Sequence, residues 1–193
     1  MQVPTAEPGY PTNGVVEGDW ADDGPLDLMG TAALLGARAW LERELHEVIG
    51  AWVADAAHPA AVVAFDGIAM HHAWRSDVLV ARLPQLRELP TDRVVVPPGP
   101  ATAEVLAALR DLGDDGARIG AWTLVGGALE AAYVDHLART TPVADAPLQR
   151  WLPLLVDSLR TDLEVATVRR PSDGDAAVAR VGRLVADAAA FTR

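Results

Sequence analysis

Two short patterns in this chain pair a ligand-type side chain with an arginine three positions later: His72-x-x-Arg75 and Asp157-x-x-Arg160. Each follows a glutamate at nearly the same distance, Glu44 by 28 positions and Glu130 by 27. Residues three apart share a helix face. Each pattern therefore reads as a helix hairpin that sets one glutamate against an i, i+3 polar pair. Two such hairpins about a common axis would gather six polar side chains at mid-bundle. Carboxylates and imidazoles are donors for iron or manganese. Guanidinium is not, because it stays cationic at any ordinary pH. Two chemistries are open to the set: metal binding by Glu44, His72, Glu130 and Asp157, or a buried ion-pair cluster with Arg75 and Arg160 as cations. Each of the six also has a plainer reading, as a solvated helix face in an ordinary salt bridge.

The elements that must position these residues follow from apolar spacing and from the prolines. Residues 1–27 read as an extended arm, since Pro4, Pro8, Pro11 and Pro25 with four glycines forbid a continuous helix. A first helix is expected from Asp27, as N-cap, to about Ala56, with Leu34, Leu41, Leu45, Val48 and Trp52 as its stripe. Glu42 and Glu44 flank that stripe on opposite sides. His58-Pro59 turns the chain into a second helix, about Pro59 to Leu83. Its core side carries Val62, Phe65, Ala69, His72 and Val80. A long connection over 86–116 holds an extended Val94-Val95-Val96, a proline block, and a short helix from Ala101 to Leu112. A third long helix spans about Ala117 to Thr140, striped by Ile119, Trp122, Leu129, Tyr133 and Leu137. Asp145 caps a fourth, which runs to about Arg169 past an internal Pro153. A fifth covers about Asp175 to Phe191. The fold class is all-α: a four-helix bundle with one long crossover and an additional C-terminal helix, occupying 28–193.

Composition narrows the functions. The chain has 193 residues, half of them hydrophobic, which suffices for a full core. Its 27 acidic and 16 basic residues leave a net charge of -11, and every basic residue is arginine. An acidic surface repels phosphate backbones and anionic lipid, so neither nucleic acid nor membrane is an expected partner. Without cysteine there is no disulfide, thiolate nucleophile or Cys-ligated metal. No phosphate-binding glycine loop, no Gly-x-Ser-x-Gly and no His-Glu-x-x-His occurs. The N-terminus has neither the basic nor the apolar segment of a secretory signal. A cytoplasmic protein is the expectation.

The helix order and the stretches HHAWRSDVLVARLP and RTTPVADAPLQRWLPLLVDSL resemble the ferritin-like superfamily, in particular the branch related to the tRNA-modifying di-iron hydroxylases. The resemblance covers about Leu28 to Arg169. It implies a di-iron site built from one Glu on each of two helices and Glu-x-x-His on each of the other two. This chain departs from that pattern, with His72-x-x-Arg75 and Asp157-x-x-Arg160 where Glu-x-x-His belongs. Both histidine ligands are lost. The expectation is a bundle with no metal cofactor, in which Arg75, Arg160 and a protonated His72 neutralise Glu44, Glu130 and Asp157. Such a protein acts without catalysis, as a scaffold, homodimer or protein partner, or as the binder of a small molecule. The alternative is an oxygen-using oxidoreductase or hydroxylase with iron or manganese on altered ligands, drawing on Glu44, Glu130, Asp157 and His72 or His46. A third reading uses His72 as a base in a vacated cavity.

Overall fold

The structure, a computed structural model, describes residues 24–85, 89–167, 176–188 and 191. Among these residues the regular structure is entirely helical: α1 Leu28–Val53, α2 Pro59–Val80, α3 Thr91–Val94, α4 Pro100–Arg110, α5 Asp115–Arg139, α6 Ala146–Thr167 and α7 Ala176–Asp187. No described helix is long and apolar enough to cross a membrane. Most of the arm expected over 1–27, including Tyr10 and Trp20, lies outside the described residues. At its end, the Gly24 carbonyl accepts from Arg139 Nε at 3.2 Å.

Local chemistry sets the helix ends. Asp27 caps α1, its Oδ1 accepting from the Gly30 amide at 2.7 Å. Asp114 does the same for α5 through the Ala117 amide at 2.8 Å. Pro59 opens α2 at a position where its missing N–H costs nothing. Asp145 does not cap α6 as expected. Its carboxylate turns back to the Thr141 amide and hydroxyl, at 2.8 and 3.1 Å, and closes the α5–α6 turn instead.

Four long helices form a ring in the order α1, α2, α6, α5. Across α1 and α2, the Ser76 hydroxyl donates to the Ala39 carbonyl, His46 Nδ1 donates to the Ala69 carbonyl, and Trp52 meets Phe65 edge-on at 5.3 Å. Partner numbers fall on one helix as they rise on the other, so the pair is antiparallel. The same holds for α5 with α6, for α1 with α5 through Arg38–His136 and Asp55–Arg118, and for α2 with α6. The diagonal helices α2 and α5 consequently run in the same direction. A 22-residue helix is roughly 33 Å long, and the chain between α2 and α5 must cover that distance. It does so through α3 and α4. α7 packs on α4 and α5.

The crossover departs from expectation at Val94. Residues 91–94 form a helical turn, and Val94 is buried against α1. Gly36 makes this approach possible, since a Cβ there would fall 2.1 Å from the Val94 carbonyl oxygen. That obstacle is backbone and cannot rotate away. Gly36→Ala is expected to cost about 1–3 kcal/mol in chemical denaturation, the range for overpacking. An unchanged urea midpoint would show that the crossover does not press on α1.

Candidate functional site: a buried ion-pair cluster

The apolar interior of the ring is interrupted at one level by a polar network. Glu42 on α1, His72 and Arg75 on α2, and Asp162 on α6 all lie in the core, with Glu42, His72 and Arg75 having no exposed surface. Arg75 is the hub. Its Nε donates to Glu42 Oε2 at 3.0 Å, and its Nη1 donates to Asp162 Oδ2 and to the Ser158 hydroxyl, both at 2.9 Å. α5 contributes two neutral donors. The Tyr133 hydroxyl donates to Glu42 Oε1 at 2.7 Å, and the Trp122 indole Nε1 donates to His72 Nε2 at 3.0 Å. From the rim, His71 Nδ1 donates to Asp162 Oδ1 at 2.5 Å.

Trp122 fixes the protonation of His72. Indole N–H is a donor only, so Nε2 must present a lone pair. The remaining proton is on Nδ1, which donates to Glu42 Oε2 at 2.6 Å. His72 is therefore neutral, which corrects the expectation that it carries a compensating charge. Burial pushes its pKa down, Arg75 adds to the effect, and Glu42 opposes it. Nitrogen chemical shifts of the His72 ring are expected to report the Nδ1–H tautomer at pH 7. In Trp122→Phe that ring is expected to titrate at a higher pH.

The other members have equally definite charge states. Burial alone would raise the Glu42 pKa. The Arg75 guanidinium, with hydrogen bonds from His72 and Tyr133, outweighs that and holds it at about 2. Burial would likewise lower the Arg75 pKa, but Glu42 and Asp162 reverse this and raise it. Tyr133 is pushed well above its ordinary value, by burial first and by Glu42 second, and so keeps its proton. The cluster is a guanidinium cation clamped between two carboxylates.

A second buried arginine lies one helical turn away. Arg38 stands over the Tyr133 ring, 4.9 Å from its centroid. It donates to His136 Nδ1 at 2.8 Å and to the Ala132 carbonyl at 2.7 Å. Arginine is only a donor, so His136 is neutral too. Burial first, then Arg38 and Arg139, lowers its pKa to about 2. Burial lowers Arg38 to about 10, which still leaves it charged at neutral pH.

The six residues singled out by spacing do not converge. His72 and Arg75 sit in the cluster. Glu44 faces α4 and pairs with Arg110 at 3.0 Å, near solvent. Glu130, Arg160 and Asp157 form a surface group across α5 and α6, where Arg160 Nε meets Glu130 at 2.7 Å and Nη1 lies 3.6 Å from Asp157. The positions taken by the expected carboxylates belong to Glu42 and Asp162. Two residues turn a helix by about 200°, so Glu42 and Glu44 cannot face the same neighbours. The Glu42 flank of α1 faces α2 and α5, whereas the Glu44 flank faces α4. Asp162 carried a legible signal, since Leu155, Leu159, Asp162 and Ala166 recur at core spacing and all four are buried. Trp122 and Tyr133 were placed correctly in the α5 stripe, but their polar atoms went unread.

The donors do not suit the two metal ions that the ferritin-like pattern implies. Both Glu42 oxygens, both Asp162 oxygens and the His72 Nε2 lone pair are engaged by protein donors, and the centre is held by a fixed cation. Among the described residues, no three His, Asp or Glu side chains are grouped to hold a metal ion. The chain matches no family model, no curated protein and no solved structure.

Proposed function

We propose that the protein is a non-catalytic bundle of ferritin-like connectivity whose central site is filled by its own ion pairs, and that it works through its surface as a partner-binding scaffold. One observation carries the reading: Arg75 lies between Glu42 and Asp162 at the level where a ferritin-like bundle would hold cations. The connectivity supports it. Two antiparallel hairpins, parallel diagonal helices and a crossover along the whole bundle are what that architecture requires. The cluster supports a passive interior as well. His72 has no free lone pair and no solvent contact, so it cannot serve as a base in a cavity. The ligand set of the oxidoreductase alternative is dispersed, with Glu44, Glu130 and Asp157 on outer faces.

The test is metal content and response. Protein purified from iron- and manganese-supplemented cultures should hold either metal far below stoichiometric levels. Adding Fe(II) or Mn(II) should leave the melting temperature unchanged. Stoichiometric, tightly held metal would overturn the proposal.

A further inference from the structure

α2 has no hydrophilic face. Along its outward side Val63, Gly67, Met70 and Trp74 follow at helical spacing, and Val63, Met70 and Trp74 are 69%, 57% and 40% exposed. Nothing within the chain calls for glycine at 67, where an added Cβ would meet no atom within 4 Å. α6 lies alongside, joined at the His71–Asp162 seam. On the side of α6 next to that seam, Leu154 and Val165 are 47% and 38% exposed, with exposed Thr161 between them. The two helices thus present one apolar strip with a shallow step at Gly67.

The borders of the strip are acidic. Asp66 and Asp77 are exposed along the α2 edge, and they are the only charged residues of α2 outside the core. Asp157 and Glu164 are exposed along the α6 edge, and Arg160 reaches Asp157 only at 3.6 Å. An uncovered apolar face of this kind marks an interaction site, and the borders select its occupant. A second copy would set acid against acid, on a chain already at -11. An anionic membrane surface would be repelled in the same way. A helix with an apolar face and basic margins satisfies both the strip and its edges.

We infer that the α2–α6 face docks an amphipathic helix of a partner protein, its apolar side on Met70, Trp74 and Leu154 and its arginines or lysines on Asp66, Asp77, Asp157 and Glu164. The inference deepens the reading of a surface-acting bundle and rests on it in that respect. Metal analysis probes the interior and the experiment below probes the strip, so each can fail alone.

The probe is a synthetic helix of about 18 residues, leucine on one face and lysine on the other, titrated into the full chain by calorimetry and tryptophan emission. Binding in the micromolar range is expected, with an emission change that Trp74→Phe removes. A leucine–glutamate counterpart should not bind. Met70→Glu should weaken binding by about tenfold or more, although it adds an acidic charge. Val63→Glu, at a still more exposed position, should do the same and guards against a folding defect in the first variant. Equal or tighter binding by both variants would reduce the effect to general attraction to an acidic protein and overturn the inference. So would absence of binding by the native chain. A native particle of twice the 20.4 kDa chain mass that Met70→Glu splits would assign the strip to a second copy, which also overturns it.

Discussion

Arg75→Met should cost the fold about 3–5 kcal/mol, the range for breaking a buried pair by removing one partner. Methionine fills much of the same space, so the loss is not chiefly a cavity. It comes from leaving Glu42 and Asp162 buried with no cation between them. Natural domains are stable by about 5–15 kcal/mol, so this one substitution removes a large share. Urea denaturation at pH 7 measures it. The electrostatic origin is separable from packing. Neutralising the carboxylates too, as Glu42→Gln/Arg75→Met/Asp162→Asn, should recover part of the loss, because no unpaired charge remains. If the triple variant is no more stable than Arg75→Met, the charge argument fails. Arg160→Ala is the contrasting case. Its ion pairs with Glu130 and Asp157 are half-exposed, and its loss should cost no more than about 1 kcal/mol.

Acid should destabilise this protein well before its carboxylates ordinarily titrate. His136 and His72 are neutral in the fold, with pKa values below the ordinary 6.5 and about 2 for His136. Below pH 6.5 the unfolded chain binds protons at these two sites and the folded chain does not. Stability therefore falls as pH falls, starting near 6.5, by about 1.4 kcal/mol per pH unit for each uncompensated proton. Glu42 acts with the same sign over a lower window. Its folded pKa of about 2 lies under the ordinary 4.5, so its contribution is complete above 4.5 and is lost on the way down to 2. Unfolding free energy measured from pH 7 to pH 4 should decline from the start and steepen below 4.5. In His136→Gln, the amide oxygen can still accept from Arg38 but does not titrate. That variant should lose one proton's share of the slope between pH 6.5 and 4.5. A slope equal to that of the native chain would show that His136 is not held neutral.

These two effects depend on a centre that was only half legible beforehand. Periodicity put His72 beside Phe65 and Ala69, and the structure buries all three. Arg75 was placed inward because it lies one turn from His72, and it is inward. The carboxylates were a different matter, because each long helix buries more than one stripe. α1 touches α2, α3 and α4 and reaches α5 through Arg38 and Glu42. Both flanks of its leucine stripe are therefore covered, and spacing alone cannot say which covered flank is the bundle axis. The same ambiguity on α6 favoured Asp157, which is solvent-exposed, over Asp162, which is 2% exposed.

By itself the sequence determined the helical class, four of the long segments to within a few residues, the proline turns, the length of the crossover and the presence of a histidine and an arginine in the core. Those features are local, since they depend on spacing along one chain and on proline and capping chemistry. Only the tertiary structure decided that Glu42 and Asp162 close around Arg75, that Trp122 and Tyr133 complete the network, and that Glu44, Glu130, Asp157 and Arg160 stay at the surface. Which side chains meet is set by the rotation of each helix about its own axis. That rotation is fixed by the neighbours it packs against, and those neighbours are distant in the chain.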